Sequence, residues 1–96
     1  MVRLEFGFDE EKITGAGFNA DEAYSTLREL AITNSFTEEE KGIFICIDDA
    51  AGVVGALIVV MAIIEENYWF KPFFNVFNYK DEETEEILIE ELLNNI

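Results

Sequence analysis

The sequence predicts a single α+β domain, and three observations support that prediction. Ninety-six residues are enough for one modest hydrophobic core. Half of the residues are apolar, which is too large a share for an acidic disordered chain. The apolar residues repeat every two positions in some segments and every three to four in others, as expected where strands alternate with helices.

The first predicted element is a strand that ends at Asp9. Its apolar residues Val2, Leu4, Phe6 and Phe8 alternate with polar or small ones, which is typical of a strand with one buried face. A connection that contains two glycines, residues 14–17, then leads away from it.

The second predicted element is a helix from Asn19 to about Thr33. Asn19 can cap its first turn, and Glu22 can bond back to the Asn19 amide in a capping box. The apolar stripe of this helix consists of Ala20, Ala23, Tyr24, Leu27, Leu30 and Ala31.

A β-hairpin is predicted next, with strands at residues 36–39 and 43–47 around a turn at 40–42. The second strand is apolar throughout, so we expect it in the interior of the sheet. Its residue Cys46 is surrounded by apolar residues, so we expect a buried, unreactive thiol. Because it is the one cysteine in the sequence, an internal disulfide is excluded. With no signal-peptide pattern at the start of the chain, the cytoplasm is the expected location.

Residues 50–64 contain no polar side chain, and Asp48 or Asp49 can cap this segment as a helix. Its β-branched residues would also allow a strand, but its length and the preceding aspartates favour a helix. Fifteen residues fall short of the roughly 20 that span a membrane, so we expect a buried helix. A helix that is apolar all round must be covered on every side, which predicts a homodimer.

The last predicted elements are an aromatic strand within residues 68–79 and a C-terminal helix. Pro72 lies near the start of the strand, with Phe74 and Val76 expected on one face and Phe77 on the other. The helix is expected to begin at residues 81–83, and its stripe consists of Leu88, Ile89, Leu92, Leu93 and Ile96. The whole order is a ferredoxin-like βαββαβ unit with an added C-terminal helix, in one domain that spans residues 1–96.

The net charge of −15 is the strongest functional signal, because 21 acidic residues face only six basic ones. Phosphate backbones are held by Lys and Arg, so we expect no direct nucleic-acid binding. Because the apolar segment is too short for a membrane span, we expect no membrane partner either. The absence of histidine excludes His-based catalytic triads and ordinary zinc sites. The expected partner is a basic protein surface.

The element layout resembles the virulence-associated protein D family and the small CRISPR-associated ribonucleases that share its ferredoxin-like dimer. The resemblance rests on the strand that ends at Phe8 and Asp9, the hairpin that turns at Gly42, the cap of the apolar helix at residues 48–49, and the strand within residues 71–79. It implies that Asp9 is a catalytic or metal-binding group. With its symmetry mate, such a carboxylate could hold Mg²⁺ and activate water.

Three functions are therefore open. The first is an acidic, non-enzymatic interaction protein that needs no cofactor. It would dock on the basic groove of a nucleic-acid enzyme as an inhibitor or nucleic-acid mimic of the anti-CRISPR type. The second is a Mg²⁺-dependent endoribonuclease with Asp9 at its centre, and Asp48 and Asp49 are weaker metal candidates. The third is a non-catalytic structural homodimer. The expected binding residues of the first are Glu10, Glu11, Glu38, Glu39, Glu40, Asp81, Glu82, Glu83, Glu85 and Glu86.

Overall fold

A computed structural model describes residues 1–94 of the chain, and the side chains of residues 1–92. It contains five strands and four α-helices within that range. In chain order they are β1 (Val2–Phe8), α1 (Glu10–Gly15), α2 (Ala20–Thr33), β2 (Thr37–Glu40), β3 (Ile43–Cys46), α3 (Asp49–Glu65), β4 (Phe74–Lys80), β5 (Glu85–Ile87) and α4 (Ile89–Asn94).

The five strands form one antiparallel sheet in the order β2-β3-β1-β4-β5. β1 is central and pairs with both β3 and β4. β3 lies between β2 and β1, as its uninterrupted apolar sequence predicts. The α+β class is confirmed, and the strand order is compatible with a ferredoxin-like arrangement.

The core lies between one face of this sheet and helices α2 and α3. The alternation of β1 is confirmed, because its apolar residues are buried while Arg3, Glu5 and Gly7 between them are only half-buried. The ring of Phe8 meets Tyr24 of α2 edge-on, with 5.0 Å between ring centroids. We call the side of the sheet with Val2 and Phe8 the helix face, and the side with Arg3 and Glu5 the opposite face.

A short helix, α1, replaces part of the connection that the sequence predicts after β1. The Asp9 side chain caps it by accepting a hydrogen bond from the Lys12 amide at 3.1 Å. Ile13 anchors it, with none of its surface exposed. The turn begins at Ala16, and Gly17 there adopts a positive φ of 86°.

Helix α2 has the predicted bounds, and Asn19 is its cap. The Asn19 side chain accepts a hydrogen bond from the Asp21 amide at 2.8 Å. The return bond from Glu22 to the Asn19 amide is not among the hydrogen bonds of the described residues. The cap is therefore one-sided.

Helix α3 begins where the sequence predicts, because the Asp48 side chain accepts a hydrogen bond from the Ala51 amide at 3.0 Å. The small residues Gly52 and Gly55 let it lie close to its neighbours. A methyl group added at Gly55 would stand 2.2 Å from the carbonyl oxygen of Asn34, at the end of α2. In the described part of the chain, no helix is long and apolar enough to cross a bilayer.

Strand β4 departs from the predicted alternation because its register against β1 shifts between Gly7 and Phe8. Gly7 pairs with Val76, whereas Phe8 pairs with Phe74. The irregularity places both Phe74 and Phe77 in the core, although a strict alternation would put them on opposite faces. Pro72 lies in a 3₁₀ turn, Lys71–Phe73, just before the strand.

The prediction that a helix begins at residues 81–83 is wrong. The Asp81 side chain accepts hydrogen bonds from the amides of Glu83 (2.8 Å) and Thr84 (2.7 Å), which reverses the chain into β5. Because Asp side chains bond their own backbone in turns as readily as at helix caps, the same acidic run suits both structures. Helix α4 begins at Ile89, and its residue Leu92 is buried. Leu93 and Ile96 of the predicted stripe lie outside the described side chains.

Candidate interaction surface

Eleven of the 21 acidic residues lie at the two ends of the sheet. At the end where β1 finishes, the Lys41 ammonium lies 3.5 Å from a Glu10 carboxylate oxygen and 3.8 Å from one of Asp21. It also lies 4.5 Å from the centroid of the Tyr24 ring. Lys41 therefore ties the β2–β3 turn to α1 and α2. The first acidic end, as we name it, consists of Asp9, Glu10, Glu11, Asp21, Glu39 and Glu40.

The second acidic end lies where β1 starts. The amino group of Met1 is hydrogen-bonded to Asp49 and lies 3.2 Å from an oxygen of Glu82. These two carboxylates raise the pKa of that amino group, Asp49 most strongly. The second acidic end consists of Asp48, Asp49, Asp81, Glu82 and Glu83.

The predicted binding residues therefore do not form one cluster. β1 separates the two ends, and seven residues of strand are about 23 Å long. Glu38 belongs to neither end, because it pairs with Phe44, which pairs with Leu4 in the middle of β1. The Arg28 guanidinium binds it at 2.9 Å. This contact raises the pKa of Arg28.

Glu85 and Glu86 of β5 lie on different faces of the sheet. Glu85 pairs with Lys80, the register partner of Arg3 on the opposite face, and Glu86 pairs with Tyr79 on the helix face. Tyr79 also donates a hydrogen bond to Asp81 at 2.6 Å. Burial and this carboxylate raise the pKa of Tyr79 to about 12, and the same bond lowers the pKa of Asp81.

Helix α3 connects the two acidic ends. It starts at the second acidic end beside Val2, since a methyl group added at Gly52 would stand 2.6 Å from a Val2 methyl carbon. Its last turn lies at the first acidic end, where Lys71 binds the Ile64 carbonyl and the neighbouring Phe70 ring packs 5.4 Å from Phe8. The helix continues to Glu65, and Glu66 caps its C-terminus.

The outer side of α3 is an exposed apolar surface that we call the α3 ridge. Its five side chains are between 42% and 62% exposed. Burying the rest of such a side chain contributes about 1 kcal/mol each. Adjacent large apolar side chains left exposed in this way make the outer side of α3 a candidate interaction surface. The ridge consists of Val53, Val54, Leu57, Ile58 and Met61.

A groove runs beside the ridge, between α3 and the β4–β5 hairpin. Its walls are apolar except for Glu86 and Tyr79. The ridge residues Val53 and Leu57 form one wall, and Leu88 forms part of the other. Ridge and groove together present an uneven surface that can accept side chains from a partner.

The ridge is the surface to which the prediction of a homodimer applies, and the homodimer stays a prediction. Because residues 50–64 lack polar side chains, the sequence does predict that the whole helix is covered. Within the described residues, however, α3 buries only the narrow stripe of Gly52, Gly55, Ala56, Val59 and Ile63. The ridge is therefore the part of α3 that a second copy, or another partner, would have to cover.

The candidate metal ligands are separated in the structure. Asp9 caps α1 with the Lys12 ammonium 3.9 Å away, and Asp48 caps α3 at the other end of β1. Asp49 contacts the Met1 amino group. Within residues 1–94, no three acidic or cysteine side chains are grouped so that they could hold an ion. The protein contributes one carboxylate at Asp9, and the symmetry mate that the ribonuclease hypothesis requires remains a prediction.

No family model, curated protein or solved structure matches the chain. The resemblance to the virulence-associated protein D family therefore stays a prediction.

Proposed function

We propose that this chain is a non-enzymatic acidic protein that binds a basic surface of another protein. The observation that supports this most is the arrangement of its charge: eleven of the 21 acidic residues lie at two ends of the sheet, and the uncharged, exposed α3 ridge lies between them. The class of partner that fits best is a nucleic-acid enzyme, whose basic groove the chain would occupy as an inhibitor. The ferredoxin-like fold is the scaffold that we propose for it.

The electrostatic argument concerns the rate and specificity of association. A protein with a net charge of −15 attracts a basic surface before contact and repels nucleic acid. Several carboxylates at the two ends, among them Glu11, Glu39 and Glu83, have no basic group within 4 Å in the described structure. They are available to a partner without breaking an existing ion pair.

The exposed α3 ridge adds affinity that charge alone does not provide. Ion pairs at a protein surface contribute little, typically about 0–1 kcal/mol each. Burial of an apolar centre inside a charged rim is the usual organisation of a specific interface. The chain has both parts, so we assign its function to protein binding in the cytoplasm.

The test begins with recombinant nucleases and polymerases whose substrate grooves are basic. Each is mixed with the chain, and displacement of a labelled oligonucleotide is measured by fluorescence anisotropy. We expect displacement from at least one of them, with affinity that falls steeply between about 50 and 200 mM salt, because screening weakens the attraction. An affinity that does not change over this range would overturn the proposal.

A matched pair of variants makes the same test specific to the chain. The substitution Glu83→Gln removes one charge from the second acidic end and should weaken binding. Glu29→Gln on α2 also removes one charge, at a residue that lies in neither end, and should have a smaller effect. Equal losses would mean that only net charge matters.

A further inference from the structure

The α3 ridge and its two flanks specify a partner more closely than charge does. Between Asp49 and Glu65 the helix has no charged residue, while carboxylates stand at both of its ends. At the N-terminal end these are Asp48 and Asp49, and at the C-terminal end Glu65 and Glu66. A surface of this kind is complementary to a segment with an apolar middle and two basic ends.

A second copy of the chain fits this surface poorly. If two α3 ridges packed antiparallel, residues 48–49 of each copy would face residues 65–66 of the other. In a parallel arrangement, residues 48–49 of one copy would face residues 48–49 of the other, and residues 65–66 would likewise face each other. Both arrangements oppose like charges, which disfavours association. A basic partner removes this repulsion.

We infer that the α3 ridge binds an amphipathic helix of the partner that carries Lys or Arg near both ends. This inference rests on the proposed function, because it assigns the surface and the partner element through which the basic protein is held. The ridge from Val53 to Met61 is about 12 Å long, and α3 from Asp49 to Glu65 about 24 Å. A helix of about 17 residues therefore reaches both acidic ends.

The partner helix would use a spacing familiar from helix-in-groove recognition. Apolar side chains at positions i, i+3 or i+4, and i+7 would lie along the ridge over about two turns. One of them would enter the groove between Leu57 and Leu88. Glu86, the charged residue among the described residues that line the groove, would face a basic or hydroxyl group of the partner.

Synthetic peptides of about 18 residues provide the test. The first peptide has leucines at i, i+3, i+4, i+7 and i+11, with three Lys or Arg residues at each end. The second has the same composition with the leucines dispersed around the helix. Binding of both to the full-length chain is measured by isothermal titration calorimetry at about 50 and 150 mM salt. We expect the first to bind at least about tenfold more tightly.

Variants of the chain locate the contact. The double substitution Leu57→Ser and Ile58→Ser should reduce the affinity for the first peptide about tenfold. The control Ile87→Ser, at a residue 68% exposed on the opposite face, should leave it unchanged. Neutralising Glu65 and Glu66 to Gln should weaken binding more than neutralising Glu39 and Glu40 on the edge strand β2. Circular dichroism confirms that each variant is folded.

The outcomes distinguish a failure of the inference about α3 from a failure of the proposed function. If both peptides bind equally and with strong salt dependence, the proposed function stands and the inference about α3 is wrong. If neither binds at low salt, both fail. If the chain forms a dimer by sedimentation that Leu57→Ser and Ile58→Ser dissociate, a second copy covers the ridge and the inference is overturned.

Discussion

The side-chain ammonium of Lys71 donates a hydrogen bond to the main-chain carbonyl of Ile64, in the last turn of α3. Lys71 is only 6% exposed, although it is one of just six basic residues in the chain. The last carbonyl groups of a helix lack partners within the helix, and they form the negative end of its dipole. Lys71 therefore closes the end of α3 and fixes the turn that leads into β4.

Replacing Lys71 by Met should destabilise the fold by about 2 kcal/mol, because the partly buried carbonyl of Ile64 loses a charged donor while the apolar stem is kept. Urea unfolding followed by tryptophan fluorescence measures this loss. The control is Lys80→Met, at an exposed position on β4. Equal stability of the two variants would show that the Lys71 contact contributes nothing.

Replacing Gly55 by Ala should be destabilising, even though alanine is the better helix former. The added methyl group would stand 2.2 Å from the Asn34 carbonyl oxygen, so α2 and α3 must move apart at a cost of about 3 kcal/mol. Gly15→Ala is the matched control, because its methyl group meets nothing within 4 Å. It should be neutral or stabilising by up to about 1 kcal/mol. Thermal unfolding of both variants checks the difference, and a stable Gly55→Ala protein contradicts the close approach.

The bond between Tyr79 and Asp81 should make the β4–β5 hairpin sensitive to pH at both extremes. The pKa of Tyr79 is raised from 10 to about 12, so its stabilising effect is complete below pH 10 and is lost as the pH rises towards 12. The pKa of Asp81 is lowered from 3.8, so its effect is present above that value and is lost as the pH falls through its lower folded pKa.

Phenolate absorbance measures the alkaline part of this prediction. The Tyr79→Phe variant identifies the signal of Tyr79 among the three tyrosines. In Asp81→Asn the pKa of Tyr79 should fall towards 10, since the carboxylate no longer stabilises the neutral phenol. In the acidic range, the amide resonances of Glu83 and Thr84 should shift as Asp81 protonates. An unchanged Tyr79 titration in Asp81→Asn would contradict the coupling.

Substitutions of Asp9 distinguish its role as the cap of α1 from the catalytic role that the ribonuclease hypothesis gives it. Asp9→Ala should destabilise the protein by about 1 kcal/mol because α1 loses its cap, whereas Asp9→Asn keeps a capping oxygen and should be nearly neutral. Incubation of the original chain and Asp9→Asn with RNA and Mg²⁺ should give no cleavage by either. Cleavage by the original chain that Asp9→Asn abolishes would overturn the proposed function in favour of the enzyme.

Much of the fold could be predicted because its elements follow strong local patterns. The alternation in β1 and the caps at Asn19 and Asp48 lie within the sequence of each element, so their bounds were correct. The pairing irregularity between Gly7 and Phe8 could not be predicted, because it depends on how two strands distant in sequence meet. The turn at Asp81 was missed because its acidic run satisfies the rules for a helix start equally well.

Less of the candidate interaction surface than of the fold could be predicted from the sequence. The sequence identifies the carboxylates, but their grouping into two ends depends on strand order and on contacts such as Lys41 to Glu10 and Asp21. It also identifies the uncharged run of α3. Which side of that helix stays exposed depends on where Val59 and Ile63 meet the sheet, and that is set by tertiary packing.

The central place of β1 in the sheet has a consequence for how the chain acquires its structure. β1 is made first, but its partners β3 and β4 begin about 40 and 70 residues later. Pairings between such distant segments close slowly, and a growing chain meanwhile offers both edges of this strand to its neighbours. Mutual repulsion among nascent chains rich in carboxylates opposes their aggregation during that interval. We therefore expect the acidity of this protein to limit aggregation during synthesis, in addition to the partner binding that we propose for it.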